Sequence, residues 1–351
     1  MAGGCYSVIK QDLNGGINIL VQKGWFSLDD YNYELNRLGY PSYESYDRPQ
    51  AVPEKSKKLS GKAVSLWVHI RNFPMIMKSL IRDQDDEVFQ YLLLLVDITA
   101  RILAMEFRGY EIDVLEEKVI EFLDARIIIF SSFPDLLGTP KPKHHMITHY
   151  GQAIRLYGPP LSFWTARFES KHRIAKNVSE SAKNFKNISW TVASRQQMRM
   201  ASVYYQGMFD TKPFAVAEKA SYKKDLKQKG SFWDMIRNMM DDEDLVCGEI
   251  LIQGVKYQNG DLVVHEVDES GDVLKVGVIK SILVKKNEVF LVNHQYEAVK
   301  NNLGIFESRN RDSEYALKAH SMLADIKPLI MRGTAVKFQF VLHHYISFDY
   351  K

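Results

Sequence analysis

His145 and His149 stand four residues apart in the densest chemical patch of the chain, Pro142-Lys143-His144-His145-Met146-Ile147-Thr148-His149-Tyr150. On a helix two such imidazoles share a face, a geometry that can grip a metal. No Glu follows His145, so the zinc-protease pattern is absent. The competing reading is a pair of histidines packed between helices and hydrogen-bonded. The second candidate is Glu169, within Trp164-Thr165-Ala166-Arg167-Phe168-Glu169-Ser170-Lys171-His172. Pro159-Pro160 end the preceding element, and Ser162 can cap a helix that buries Trp164, Phe168 and Ala175. That helix places Glu169 beside Thr165, His172, Arg173 and Lys176. The carboxylate can ligate a metal, or it can pair with Arg173 at i+4 for a few tenths of a kcal/mol.

The charge around these residues is segregated. The whole chain carries +3, but residues 141–230 hold 17 basic and 5 acidic residues, leaving −9 for the remainder. Residues 83–124 hold 12 acidic and 3 basic residues. A basic surface attracts polyanions; alternatively, the two blocks face each other inside the fold. The basic stretch includes Arg155, Arg167, Lys171, Arg173, Lys176, Lys183, Lys186, Arg195 and Arg199, interleaved with Trp164, Phe168, Phe185 and Trp190. Such interleaving suits phosphate contacts, although many aromatics of this kind belong to cores.

The elements that must position these groups are first helical, then extended. Tyr6 to Gln22 reads as a helix broken at Gly15-Gly16, and Ser27 to Leu38 as one capped by Ser27. Residues 40–58 read as a Pro- and Ser-rich connection, and residues 61–81 as a helix interrupted at Pro74. Asp85 to Phe107 has a clear 3.6-residue apolar period, and Ile112 to Phe130 follows. His144 to Leu156, Ser162 to Lys176 and Ser189 to Tyr205 complete the helices. Residues 207–244 read as a basic linker. From about Leu245 the period becomes two, with a hairpin signal at Asn259-Gly260 and short strands that suggest a small β-barrel or sandwich.

Composition restricts the class. With 46% hydrophobic and 25% charged residues the chain is of ordinary globular type. No apolar run reaches the ~20 residues of a membrane span, and the first residues lack the pattern of a signal peptide. Cys5 and Cys247 are too few and too distant to frame a disulfide fold or a paired-cysteine zinc site. A reducing compartment, nucleus or cytosol, is the expectation.

The string from Lys143 to His172 resembles the C-terminal part of En/Spm (CACTA)-type DNA transposases, especially the animal lineages. The shared residues are Pro142-Lys143, His145, His149-Tyr150, Gly158-Pro159, Trp164-Thr165, Arg167-Phe168-Glu169 and Lys171-His172. Asn184-Phe185-Lys186-Asn187 and Ala193-Ser194-Arg195-Gln196-Gln197 also fit. Upstream, Gly4-Cys5-Tyr6, Phe26-Ser27-Leu28-Asp29, Asp47-Arg48-Pro49-Gln50 and Leu92-Leu93-Leu94-Leu95-Val96-Asp97-Ile98 look like the family's helical region. Downstream, the stretch Gly254 to Gly260 resembles the start of its β-rich tail. The likeness touches nearly the whole chain, and the order of the pieces is more specific than any one of them.

The resemblance implies an α+β protein: residues 1–206, a helix-rich remnant of an RNase H-like core with its helical insertion; residues 207–244, a basic linker; and residues 245–351, a small β-barrel-like domain. It implies a catalytic set of Asp, Asp and Glu around two Mg²⁺ or Mn²⁺ ions, with Glu169 at the final position. In the family a His-Asp pair precedes the segment resembling Gly4-Cys5-Tyr6, and this chain begins at that segment. One Glu supplies too few carboxylates for two hydrated ions, and Mg²⁺ prefers oxygen to imidazole, so His145, His149 and His172 do not substitute. Asp12 and Asp113 have no supporting spacing. The expectation is therefore a transposase-derived protein without a cofactor or catalysis of its own, binding DNA with weak sequence preference through Arg167, Lys171, Arg173, Lys176, Lys183, Lys186, Arg195 and Arg199. Two alternatives stand beside it. One is a helical interaction protein whose β-rich domain binds a protein or nucleic acid. The other is a nuclease completed by a partner that donates the missing Asp residues.

Overall fold

The computed structural model describes residues 2–40, 42–163, 166–183, 186–205, 214–216, 220–252, 255–268, 270–286, 288–324, 329, 332–333, 337–343 and 346. Its first part is helical. α1 (Ala2–Gln22) runs unbroken through Gly15-Gly16. α2 (Leu28–Arg37) starts at the expected cap: Ser27 Oγ accepts from the Asp30 N–H, and the Asp30 carboxylate accepts from the Ser27 N–H. α3 (Ala63–Met77) continues through Pro74, where the sequence suggests an interruption. Leu66, Ile70, Phe73, Ile76 and Met77 are all buried, and packing on nearly every side offsets the hydrogen bond that Pro74 removes.

α4 (Glu87–Ile102) is capped by Asp86, which accepts from the Val88 and Phe89 amides. α5 (Gly109–Ser132) and the short α6 (Pro134–Leu137) follow. The close packing of these elements explains Gly15-Gly16. A Cβ on Gly16 would meet Leu92 of α4 at 2.6 Å, and one on Gly15 would meet Leu136 and Leu137 of α6 at 3.0 Å. The glycines admit neighbours to α1; they do not end it. The helix expected from His144 to Leu156 is divided into α7 (Pro142–Met146), a 3-10 turn over Ile147–His149, and α8 (Tyr150–Tyr157). α9 (Ala166–Ala182) and α10 (Ile188–Tyr205) come next. Ser162 does not cap α9: it lies in a 3-10 turn over Pro160–Ser162, and its hydroxyl donates to the Pro159 carbonyl.

The stretch 207–244 is not a bare connection. It holds β1 (Phe214–Val216), β2 (Ser221–Tyr222) and α11 (Ser231–Met239). Ile236 and Met240 are buried against Val246, Leu283 and Val292, so the stretch is anchored by its apolar residues. The strands then continue as β3 (Leu245–Cys247), β4 (Glu249–Ile252), β5 (Val255–Gln258), β6 (Leu262–Val267), β7 (Val273–Lys285), β8 (Glu288–Lys300), β9 (Phe306–Ala319), β10 (Arg332–Gly333) and β11 (Phe338–Phe340).

The pairings described are antiparallel. A three-stranded sheet has the order β1-β4-β5. The larger sheet runs β10-β11-β9-β8-β7-β3-β2, with β6 also on β7, and curls into a half-barrel. The turn at Asn259-Gly260, with Gly260 at φ +94°, joins β5 of the small sheet to β6 of the large one. It is a corner between sheets, and the hairpin partners of these strands lie on their other sides. The molecule is thus mixed α+β. Among the described residues no helix is long and apolar enough to cross a membrane.

The two parts touch. Ile305, Leu303 and Val341 from the sheet region join the helical core, and Arg332 donates to the Met75 carbonyl and pairs with Glu34 of α2 at 2.8 Å.

Candidate nucleic-acid interface

α9 and α10 are consecutive helices that pack on each other, and their substantial described contacts are mutual. At 1.5 Å rise per residue each is about 26 Å long. Asn187 starts α10: its Oδ1 accepts from the Trp190 amide. Lys183, at φ +47°, turns the chain out of α9 in the left-handed conformation common at helix ends. Of the α10 side chains, Thr191 is buried. A helix exposed on most of its surface gains little from tertiary burial, so its retained side chains are available to something else.

Residues 166–205 contain eight basic and two acidic residues. His172, Arg173, Lys176, Lys183, Lys186, Arg195 and Arg199 are exposed. The described contacts of these cations are local: Lys176 lies 3.9 Å from Glu180, and Arg195 donates to Ser181 Oγ at 3.2 Å. Arg167, Phe168, Glu169 and Lys171 fall on the first turns of α9, but their side chains, and Trp164 entirely, lie outside the described residues.

The acidic block pairs elsewhere. Asp113 and Glu116 of α5 both receive Arg155, at 2.5 and 2.6 Å. The hydrogen bonds it donates to Glu116 and then to Asp113 hold that guanidinium's pKa above its usual value. Asp97 takes Lys118 at 2.9 Å and Arg101 at 3.2 Å. Of the expected basic set, then, Arg155 is neutralised by the acidic block, while the ion pairs described do not join that block to α9 or α10.

The histidine patch divides in an unexpected way. His145 and His149 are exposed, with their Nε2 atoms 3.2 Å apart and rings edge-to-face, so they are not packed between helices. The buried member is His144. Its Nδ1 accepts from the Lys141 amide at 3.0 Å, which leaves Nε2 to donate to Asp12 Oδ2 at 2.7 Å. Asp12 also receives Arg126 Nε at 2.9 Å, and Arg126 reaches the Gly138 carbonyl. Asp12 is therefore the centre of a buried polar network tying α1, α5 and α7 together. With Asp12 held there and Asp113 held by Arg155, neither is placed as a metal ligand. Among the described residues no group of three or more His, Cys, Asp or Glu is arranged to hold a metal ion.

Sequence reasoning overlooked the apolar surface of the helical pair. Ile188, Met198, Met200, Tyr204 and Tyr205 are exposed beside Trp190, which is 67% exposed. The available signal was their spacing: at about 100° per residue Trp190, Met198, Met200, Tyr204 and Tyr205 fall on one half of the helix. Comparison with protein-family models, curated proteins and solved structures finds no match.

Proposed function

We propose that this chain is a transposable-element-derived protein that binds DNA through α9 and α10, mainly by phosphate contacts, and has no strand-transfer activity alone. The observation that carries the reading is the exposed pair of helices, whose described ion pairs do not involve the acidic block. The likeness of Lys143 to His172 to the CACTA transposases supplies the origin, including the view of the helical part as a remnant of an RNase H-like core. Phosphate contacts fix position without reading bases, so sequence preference is weak. Trp190 and Tyr204 offer flat faces for unpaired bases. The reading places the protein in the nucleus for this task.

The experiment is a titration of duplex and single-stranded DNA at several salt concentrations. Affinity falls steeply with salt because each neutralised phosphate releases counterions. Replacing Lys176, Lys183, Arg195 and Arg199 by Gln lowers the log–log salt slope by up to about one unit per lost contact. No association at low salt sinks the reading.

Catalysis needs several carboxylates around two ions; the resemblance supplies Glu169, while Asp12 and Asp113 are engaged elsewhere. The protein is expected not to nick DNA with Mg²⁺ or Mn²⁺. Metal-dependent nicking that disappears in Glu169→Gln overturns this half of the proposal. The exposed apolar residues of α10 favour one alternative, a protein partner for the same helices. DNA binding that is weak at every salt concentration leaves that alternative ahead.

A further inference from the structure

α5 is apolar on two sides. Ile112, Leu115, Val119, Phe122 and Ile129 are buried in the helical core. On the opposite side Ile120 is 58% exposed, and Ile127 and Ile128 are each 61% exposed. Glu117, Ile120, Glu121, Asp124, Ile127 and Ile128 recur at intervals of three and four, so they form one stripe along the outer face of the helix. A shallow groove runs over Ile120, Glu121, Asp124 and Ile128. Scattered apolar residues on a surface need no explanation, but a contiguous set rimmed by polar groups marks an interaction site.

The charges on the stripe decide what can cover it. The ion pairs described near this face use Asp97, Asp113 and Glu116; none is described for Glu117, Glu121 or Asp124 among the described residues. A second α5 would set these three carboxylates against their equals, and like charges facing each other suppress pairing. DNA and anionic lipid are repelled for the same reason. The chemistry that fits is an apolar helix face flanked by cations.

α10 is such a helix. Residues 188–205 include Arg195 and Arg199 and no acid. Trp190, Met198 and Tyr205 are exposed. They lie within about 80° of one another around the helix axis, with Arg195 and Arg199 on the flank of Met198. The substantial described contacts of α10 are with α9, which leaves this face open. The lengths match as well: at 1.5 Å per residue, Trp190 to Arg199 spans about 14 Å and Glu117 to Ile128 about 17 Å.

We infer that α10 of a second copy of this chain seats on the outer face of α5, with Trp190 and Met198 against the three isoleucines and Arg195 and Arg199 against Glu121 and Asp124. In a two-fold pair each copy gives its α10 and receives the other's on α5. One such contact covers roughly 17 by 10 Å, and two remain well below the ~800 Å² per partner of a stable interface. The pair is therefore reversible and forms in the micromolar range. It engages the surface proposed for DNA but does not depend on DNA binding, so self-association is measured with no DNA present.

The test is sedimentation velocity of the full chain through the micromolar range. The expected result is a concentration-dependent shift from the mass of one chain to that of two. Glu121→Lys with Asp124→Lys sets cation against cation, and Arg195→Glu with Arg199→Glu sets carboxylate against carboxylate. Each double variant associates with itself at least about tenfold more weakly. An equimolar mixture of the two restores association, because both contacts of the mixed pair again join opposite charges. Ile127→Gln with Ile128→Gln removes apolar area at constant charge and also weakens association, which keeps the test open should a charge-reversed variant fail to fold by circular dichroism. The inference is overturned by a chain that stays monomeric throughout, by association that either the charge reversals or the isoleucine changes leave unchanged, or by folded charge-reversed variants whose mixture does not associate.

Discussion

Arg126 and Lys176 carry the same charge in opposite settings. Arg126 is buried at 1% exposure, bonded to Asp12 and to the Gly138 carbonyl, with His144 completing the group. Lys176 stands on an exposed helix, and its near neighbour is a Glu one turn away. A buried charge is costly unless it is paired, and Arg126 is paired through Nε and Nη2 although its Nη1 has no hydrogen-bond partner; an exposed charge is screened and contributes little to stability. The helical core therefore uses charge to fix how α1, α5 and α7 meet. The α9–α10 pair presents charge to the outside. Counting basic residues along the sequence merges these two uses.

The largest expected effect comes from opening the buried network. Asp12→Ala leaves Arg126 and His144 without their acceptor and is expected to cost about 3–5 kcal/mol. Urea unfolding of the two proteins measures it. A loss below about 1 kcal/mol, the range of an exposed pair, removes the distinction between the two regions.

The next effect is titration of buried histidines. Burial lowers the His69 pKa to about 4, and its Nε2 lies 2.8 Å from the buried Tyr31 hydroxyl. Burial likewise lowers the His265 pKa to about 4, against a smaller opposing hydrogen bond with Asn293. Below the ordinary histidine value of 6.5 the unfolded chain takes up these protons while the folded chain does not until about pH 4. Stability is full above 6.5 and falls with decreasing pH, by on the order of 3 kcal/mol per histidine at the lower limit. Asp261 acts in the other direction: burial raises its pKa to about 6, so the folded form holds a proton that the unfolded form releases, and stability rises as pH falls from about 6 towards 3.8. The histidines outnumber it, and a net loss is expected between pH 6.5 and 4. Unfolding curves at pH 7, 5.5 and 4.5 test this, and His69→Asn and His265→Asn each flatten the dependence. A flat profile in the unaltered protein rules out the buried neutral histidines.

Gly16→Ala follows, at about 1–3 kcal/mol, because the new Cβ presses on Leu92 and must displace it. This position also shows what the sequence could and could not tell. The cap at Ser27 and the period of α4 are local and were legible, as was the change from helix to strand. Gly15-Gly16 read as a break because the residues that fill the space beside them, Leu92 and Leu136, are far along the chain. The stretch 207–244 read as a linker because β1, β2 and α11 acquire partners only from strands that follow. His145 and His149 drew attention by spacing, while the neighbouring His144, without a periodic partner, is the one that Asp12 draws into the core.

The smallest effect on stability falls on the surface that the proposed function needs most. Lys176, Lys183, Arg195 and Arg199 are exposed, and the pairs described for them are the long Lys176–Glu180 contact and a hydroxyl near Arg195. Each change to Gln is expected to alter stability by no more than about 0.5 kcal/mol. Reducing like-charge repulsion along the helical pair offsets part of even that loss. The same four changes act on DNA binding through the number of phosphates neutralised, so their effect there is cumulative and depends on salt. Thermal melts and binding titrations on one quadruple variant thus give opposite expected answers: an unchanged melting temperature and a shallower salt slope. A variant that melts several degrees lower would mean that these cations have partners in the fold, and that the α9–α10 pair resembles the Asp12 network more than it contrasts with it.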